Sequence, residues 1–389
     1  MSIKAKASIV GAFEHPTRQA TGRSTAMLHA ECANGACDDA GISLADVDGY
    51  FGAGDGFSLG ALSMVEYLDL KVRHLDSTDI GGSSYVMHVD RAARAVASGA
   101  CNIALITLAG RPRSQGVSVG TSVRTGSADQ PDVAWEAPFG ATIVGFYAMC
   151  AARHMHDYGT TSEQLACIKV AASLHAQHNP NAMRREVVTI ADVLASPMVA
   201  DPLHRLDCCV VSDGGGALIV TRPEIARTMR QPLVSVLGCA TAIGVREGAS
   251  IDLTSSAARV SSAAAFGEAG VTPADIQYAS IYDSFTITVL MQLEDLGFCA
   301  KGEGGRFVED GNLVSGIGRL PFNTDGGGLC NNHPNNRGGM TKVIEAVRQL
   351  RGQAHPAVQV RNCELALAQG MGGMLGARHG SSTLILGRE

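Results

Sequence analysis

The sequence predicts an α/β protein of five layers, α/β/α/β/α, built from two similar halves with an inserted cap. Two internal repeats support this fold class. Residues 39–51 (DAGISLADVDGYF) are echoed by residues 268–280 (EAGVTPADIQYAS), and the helix and strand of 81–110 are echoed by 338–363. A turn-rich stretch too long for a linker separates the halves. Two repeated α/β units favour two sheets packed around shared helices.

Each repeat has its own local signals. In the first, a helix ends in Ala-Gly, a Ser or Thr caps a short helical turn, and a strand follows. In the second, glycines precede a helix with apolar residues at helical spacing, Gly99 or Gly352 ends it, and an apolar strand is expected next. Strand, helix and strand in that order are typical of a doubly wound layer.

The chain divides near residue 235. We predict an N-terminal half over 1–235, which includes a cap at about 111–205, and a C-terminal half over 236–389. Long loops without structure are uncommon in compact domains, so the middle stretch is expected to fold as a cap over a pocket. One of its helices should begin after Thr161 or Ser162 as the N-cap.

Composition narrows the class of protein. Of the 389 residues, 17% are charged and 46% hydrophobic, and a net charge of -6 argues against nucleic acid as a partner. No apolar run is long enough for a signal peptide or a membrane span. The 11 cysteines are scattered without metal-ligand spacing, which indicates reduced thiols in the cytoplasm and no metal site.

Four segments together resemble the thiolase superfamily. They are VVSDGGGALIV (210–220), YDSF (282–285), GGGLCNNHPNNRGG (326–339) and QGMGGM (369–374). The likeness is to the sterol carrier protein-type and lipid-transfer-type branch, which includes the bacterial steroid side-chain-cleaving aldolases. It implies two similar halves and a coenzyme A thioester substrate, and His333 matches the histidine of the family.

The departure from the family defines the expected reaction. Thiolases place a nucleophilic cysteine where this chain has Asp79-Ile80-Gly81-Gly82, and their second cysteine is also missing from residues 365–376. Acyl transfer needs that thiolate as the attacking group. We therefore expect a carbon–carbon lyase that cleaves a β-hydroxyacyl-coenzyme A by a retro-aldol reaction. The resemblance implies a steroid thioester with a short side chain, giving a ketone and a small acyl-coenzyme A.

Tyr282 and His333 are the predicted catalytic pair. Tyr282 stands where a strand gives way to a helix, and a phenol acts as a base only when a neighbour takes or relays its proton. His333 lies in a glycine and asparagine loop, and its near-neutral pKa suits either proton abstraction or donation. Which of the two is the base stays open. The structural alternatives are a core aromatic for Tyr282 and a loop histidine for His333.

A second set of residues is assigned to the thioester oxygen and to substrate binding. Backbone amides in a glycine-rich turn can approach a ligand closely, although a plain turn between the last strands explains the same glycines. Aldolase-type relatives often have a tyrosine in the loop after the histidine, where this chain has asparagine and arginine. The assigned residues are Gly370, Met371, Gly372, Asn336 and Asp283.

Two other functions remain open at this point. One is a thiolase or acyltransferase that uses Cys330, and the other is a non-catalytic acyl-coenzyme A or lipid carrier. The resemblance also implies a homodimer joined by two copies of a small partner with an OB fold and a zinc ribbon, as a heterotetramer. No cofactor is expected beyond the coenzyme A of the substrate.

Overall fold

The structure is a computed structural model that describes residues 2–119, 130, 134, 136–140, 142–244, 252–334, 338–374 and 377–389. Its strands are β1 (Ser8–Glu14), β2 (Gly49–Gly52), β3 (His74–Ser77), β4 (Ile103–Gly110), β5 (Met198–Ala200), β6 (Leu203–His204), β7 (Gly214–Thr221), β8 (Val234–Gly244), β9 (Tyr278–Ile281), β10 (Leu365–Met374) and β11 (Ala377–Arg388).

The described α-helices are α1 (Thr25–Ala40), α2 (Ala61–Tyr67), α3 (Ser84–Ser98), α4 (Ile143–Tyr158), α5 (Ser162–Ala176), α6 (Ile190–Ala195), α7 (Pro223–Ala226), α8 (Ala258–Ala269), α9 (Thr286–Asp295), α10 (Gly304–Phe307), α11 (Gly327–Cys330) and α12 (Gly339–Arg351). In this part of the chain, no helix is both long and apolar enough to cross a bilayer.

Strand order shows the two halves directly. The described strands of the main sheet run β3-β2-β4-β7-β1-β8-β11-β10-β9. In the first half, β2 pairs with β4 in parallel, and β4 with β7 and β7 with β1 pair antiparallel. In the second half, β9 pairs with β10 in parallel, and β10 with β11 and β11 with β8 pair antiparallel. Two residue pairs, Ser8 with Ser235 and Ile9 with Val234, join the halves between β1 and β8.

The layering follows from which helices touch which strands. Helices α3 and α12 pack against each other and against strands of both halves, so they form the middle layer. Helix α1 covers the outside of β1, β7 and β4, and α8 covers the outside of β8 and β11. The predicted order of helix, sheet, helix, sheet and helix is confirmed.

The first sequence repeat is also a structural repeat. Helices α1 and α8 end at Gly41 and Gly270, with φ of 78° and 70°, a left-handed conformation that favours glycine. Ser43 and Thr272 then open short 3-10 turns, and each exchanges hydrogen bonds with the aspartate three residues later. Strands β2 and β9 follow, so the local capping signals predicted these elements correctly.

One predicted strand is wrong. After α12 ends at Gly352, the chain stays irregular until β10 begins at Leu365, although an apolar strand was expected earlier. The side chain of Gln349 explains the difference, because its amide donates to the Val358 carbonyl at 3.1 Å and accepts from the Val360 amide at 2.9 Å. A side chain on α12 thus satisfies backbone groups that a sheet would otherwise pair.

The cap folds over the C-terminal half. Helix α5 contacts α9, α10 and α11, and α4 contacts α9 and β10. Thr161 is the N-cap of α5, since its hydroxyl accepts from the Gln164 amide. Strand β8 begins at Val234, next to the predicted boundary between the halves.

Asp213 ties three segments together ahead of β7. Its carboxylate accepts from the Ala20 amide at 2.8 Å and from both the amide and the hydroxyl of Ser114, and it is fully buried. The glycines that follow belong to β7, where a Cβ on Gly215 would lie 2.1 Å from the Leu108 carbonyl oxygen. The aspartate therefore has a role in folding.

Substituting Asp213→Asn should destabilise the protein by roughly 1–3 kcal/mol. The NH₂ group of the new side chain would face the backbone N–H groups of Ala20 or Ser114, which would then lack a hydrogen-bond acceptor. Urea unfolding followed by circular dichroism measures the change. The control is Asp38→Asn on the exposed face of α1, expected within about 0.5 kcal/mol of the parent. Equal unfolding midpoints for the two variants would contradict this assignment.

Candidate active site

Tyr282 and His333 meet inside the protein. Tyr282 directly follows β9, and His333 lies between α11 and α12. The Tyr282 hydroxyl is 2.9 Å from His333 Nε2, and the two rings pack edge to face at 5.6 Å between centroids. Both side chains are buried. The two residues that were predicted as partners are therefore in direct hydrogen-bond contact.

Burial keeps both rings uncharged. It lowers the pKa of His333 to about 4, although the nearby Asp283 carboxylate acts against it. The backbone of His333 acts against burial in the same direction as Asp283. In the Nδ1–H tautomer, Nε2 accepts from the Tyr282 hydroxyl. Burial also raises the pKa of Tyr282 well above its usual value, while an N–H from Gly338 acts in the opposite direction. The phenol oxygen thus has both a donor and an acceptor beside it.

Asp283 holds the loop that carries His333. Its carboxylate accepts from the amides of Gly328 and Leu329, at 2.8 and 3.1 Å, and lies 2.6 Å from the Lys342 ammonium. Its side chain has no solvent exposure. Substrate binding was predicted for Asp283, but these three contacts leave it a positioning role, because the carboxylate is already occupied by α11 and α12.

Ser212 fixes the backbone next to His333. The His333 amide donates to the Ser212 hydroxyl at 2.8 Å, and that hydroxyl donates to the Asn332 side chain at 2.8 Å. Ser212 also forms a parallel bridge with Pro334. Sequence reasoning treated this serine only as part of a glycine-rich segment. It precedes a run of glycines, and that local pattern does not indicate a contact with His333, which lies far along the chain.

Charged groups support the other side of the loop. Burial alone would raise the pKa of Glu14, but Arg18 and Arg348 outweigh it and lower the pKa to about 2. Burial and the nearby Asp325 raise the pKa of Glu345 to about 7. Glu14, Asp325, Glu345 and Arg348 line a cavity of about 180 Å³. Among the described residues, no three or more His, Cys, Asp or Glu side chains are arranged to hold a metal ion.

Gly82 lies where Tyr282 needs space. A Cβ on Gly82 would be 2.4 Å from Cζ of Tyr282 and 2.2 Å from the Met371 carbonyl oxygen. Atoms cannot approach so closely, so residue 82, in the turn Gly81–Ser83 that leads into α3, must be glycine while Tyr282 keeps its place. Position 82, in the turn where the resemblance puts a nucleophile, is thus closed to a side chain.

The predicted glycine turn is part of a strand. Gly370, Met371 and Gly372 lie inside β10 and pair with β11, so the expected turn between the last strands is wrong. The pairing of β10 with β9 ends at Gln369, and the turn at Gly81–Ser83 packs against β10 beyond that point. Their role at the thioester oxygen stays a prediction. The predicted contact at residue 336, an asparagine, lies outside the described residues.

Cys330 faces the cap. Its thiol is 3.1 Å from the Lys169 ammonium, which also donates to the Leu329 carbonyl at 2.7 Å. The sequence showed no base next to this cysteine, whereas the structure brings an amine from α5. Both side chains are about 1% exposed. Cys330 therefore contributes to the contact between cap and loop, and it is not part of the Tyr282–His333 contact.

The His333 ring should titrate near pH 4 and stay neutral at pH 7, because burial penalises the imidazolium. Long-range ¹⁵N–¹H NMR of the folded protein follows both ring nitrogens through a pH titration. It should report the Nδ1–H tautomer above about pH 5. A midpoint close to the ordinary value of about 6.5 would contradict the buried, uncharged pair.

Comparisons with known proteins identify the family of the chain. Residues 246–388 match the family model "Thiolase C-terminal domain-like". The acetyl-CoA acetyltransferase of Methanothermobacter thermautotrophicus is 36% identical, covering 88% of this chain and 90% of its own. The steroid side-chain-cleaving aldolase of Thermomonospora curvata is 35% identical, covering 89% and 90%. The 17-hydroxy-3-oxo-4-pregnene-20-carboxyl-CoA lyase of Mycobacterium tuberculosis is 34% identical, covering 90% and 92%.

A solved structure extends the likeness to the whole fold. The structure named "Ltp2-ChsH2(DUF35) aldolase" superposes with a TM-score of 0.89 at 33% identity, covering 99% of this chain and 98% of that chain. The fold and the similarity over most of the chain agree. The protein belongs to the thiolase superfamily, in the branch that contains the steroid side-chain-cleaving aldolases.

Proposed function

We propose that the protein is a carbon–carbon lyase that cleaves a β-hydroxyacyl-coenzyme A by a retro-aldol reaction. One observation carries the proposal: the Tyr282 hydroxyl is hydrogen-bonded to a neutral His333 directly over Gly82. The site therefore has an acid–base pair at the place where an acyl transferase needs a nucleophilic side chain. Proton transfer and charge stabilisation are sufficient for a retro-aldol cleavage.

The proton moves through Tyr282 to His333. As the phenol oxygen takes the proton of the substrate hydroxyl, the phenol proton passes to Nε2 of His333, which is 2.9 Å away. The hydroxyl oxygen becomes a ketone, the bond between the α and β carbons breaks, and its electron pair forms the thioester enolate. The N–H of Gly338 supports the phenol oxygen during the transfer. A proton returned to the α carbon completes the small acyl-coenzyme A.

The enolate oxygen requires donors that are already in place. The end of β10 lies against the turn that precedes α3, and the Met371 carbonyl and the Tyr282 ring both border the space above Gly82. Backbone amides of this strand end are the groups assigned to the thioester oxygen. The reaction moves a proton and an electron pair without oxidation, so it uses no cofactor beyond the coenzyme A of the substrate.

Relatives support the substrate class. Two of them are named for steroid side-chain cleavage and for a 17-hydroxy steroid carboxyl-CoA. The substrate we infer is a steroid thioester with a short side chain and a hydroxyl on the β carbon. The acetyltransferase is 36% identical, but in this chain Tyr282 leaves no room for a nucleophilic side chain at position 82, and Cys330 is buried against Lys169.

The assembly is inferred as a homodimer with a small partner. The similar solved structure is named for an aldolase with a DUF35 protein, which supports a partner with an OB fold and a zinc ribbon in a heterotetramer. Exposed Leu59 and Leu62, beside the sheet edge at β3, would suit the contact between two copies of this chain. All 11 cysteines are free thiols, which supports a cytoplasmic location.

The test is turnover of a 17-hydroxy steroid thioester by the purified chain, with and without the partner, followed as ketone by mass spectrometry. Tyr282→Phe should lower kcat by about 100-fold or more, because it removes the oxygen that carries the proton. The control Tyr158→Phe, on the exposed part of α4, should keep parental turnover.

Absence of ketone under both conditions would refute the lyase, and binding of the thioester without turnover would favour the carrier alternative. Parental turnover by Tyr282→Phe would remove Tyr282 from the mechanism. If Cys330→Ala abolished an acyl transfer by the parent chain, the acyltransferase reading would replace this one.

Gly82→Ala should lower kcat by at least about 10-fold, because the added methyl group would lie 2.4 Å from Cζ of Tyr282 and would displace the ring. The same assay measures it. The matched control is Gly267→Ala, since Gly267 lies on α8 with open space around its Cβ position and alanine favours a helix. A Gly82→Ala variant with parental kcat would show that the ring is free to move without loss.

A further inference from the structure

Two side chains hold consecutive carbonyl groups at the end of β10. Nδ1 of His379 is 3.0 Å from the Gly372 carbonyl oxygen, and the Tyr147 hydroxyl donates to the Gly373 carbonyl oxygen at 3.3 Å. His379 belongs to β11 and Tyr147 to the cap helix α4. The two contacts reach one strand end from different parts of the fold.

His379 has one polar contact, and packing alone does not explain a histidine there. A carbonyl can only accept, so Nδ1 carries the proton and Nε2 does not. Nε2 is buried without a hydrogen-bond partner among the described residues, and the side chain is 4% exposed. Burial lowers the pKa of His379 to about 4, so the ring is neutral. A leucine would fill the same space without a buried, unpaired nitrogen.

Tyr147 likewise has a polar contact that packing alone does not require. Its ring packs on Phe285 at 4.6 Å between centroids, tilted by 32°, and is buried. The hydroxyl donates to the Gly373 carbonyl, and Phe285 follows Tyr282 in the YDSF segment. One side chain therefore joins the end of β10 to the segment that carries the proposed base.

Because a peptide group is planar, a contact that fixes its carbonyl also fixes the direction of the N–H in the same peptide group. The carbonyl of Gly372 and the N–H of Gly373 belong to the same peptide plane and point in opposite directions. The Gly373 nitrogen lies against the turn before α3, since a Cβ on Gly81 would be 2.9 Å from it. A Cβ on Gly372 would likewise be 2.9 Å from the Gly82 nitrogen. The strand end thus adjoins the residue over which Tyr282 lies.

We propose that His379 and Tyr147 are positioning residues, which fix the peptide planes after Gly372 and Gly373 and so hold the strand-end amides towards the thioester oxygen. The inference rests on the proposed lyase function and adds to it a link between the cap and the catalytic step. A correctly aimed amide contributes to the rate because it needs no reorganisation when the enolate forms.

The decisive comparison is His379→Asn with His379→Leu. An asparagine amide places an N–H near the position of Nδ1, whereas leucine matches the volume without a donor. His379→Leu should lower kcat by about 10-fold or more with KM nearly unchanged, and His379→Asn should recover most of the loss. Tyr147→Phe keeps the ring and should also lower kcat, with Tyr158→Phe as its control.

Two readouts separate this inference from the proposed function. If the parent gives no ketone, the lyase proposal fails. Hydrogen exchange measured by mass spectrometry still tests, without turnover, whether His379 and Tyr147 hold the end of β10. Exchange over residues 365–374 should rise in His379→Leu and stay parental in His379→Asn. The inference is overturned if His379→Leu keeps parental exchange, if it keeps parental kcat in an active parent, or if His379→Asn is as impaired as His379→Leu.

Discussion

The carboxylate of Asp283 is the contact on which the site depends. It lies between the first amides of α11 and the ammonium of Lys342 on α12, and it belongs to the same segment as Tyr282. Removing it would leave a buried ammonium without its partner, a change that costs several kcal/mol in proteins. An ion pair without solvent exposure therefore connects the segment of Tyr282 to the two helices on either side of His333.

Exclusion of water makes the pair chemically useful. Within the buried site, both rings stay neutral, so proton transfer begins from an uncharged phenol and an uncharged imidazole. Charge then appears only as the reaction proceeds, in surroundings where fixed dipoles act more strongly than in water. The cap also contributes to holding the loop, because Lys169 on α5 donates to the Leu329 carbonyl.

Local signals predicted the fold well, and long-range contacts limited what could be known of the site. Helix ends such as Gly41 and Gly270 were predictable because capping involves neighbours in sequence. The pairing of Tyr282 with His333 was predictable from a family motif. The glycines of β10 were misassigned, since their composition suits a turn and only the pairing with β11 makes them a strand. Nothing in the local sequence indicated that Gly82 would lie under Tyr282.

The contact between Gly82 and Tyr282 also constrains evolution. A cysteine at residue 82 would collide with the tyrosine ring, and a smaller residue at 282 would remove the acid–base pair without supplying a nucleophile. The residues at 82 and 282 are therefore coupled through space: a side chain at residue 82 can be accommodated only if the ring at residue 282 moves or becomes smaller.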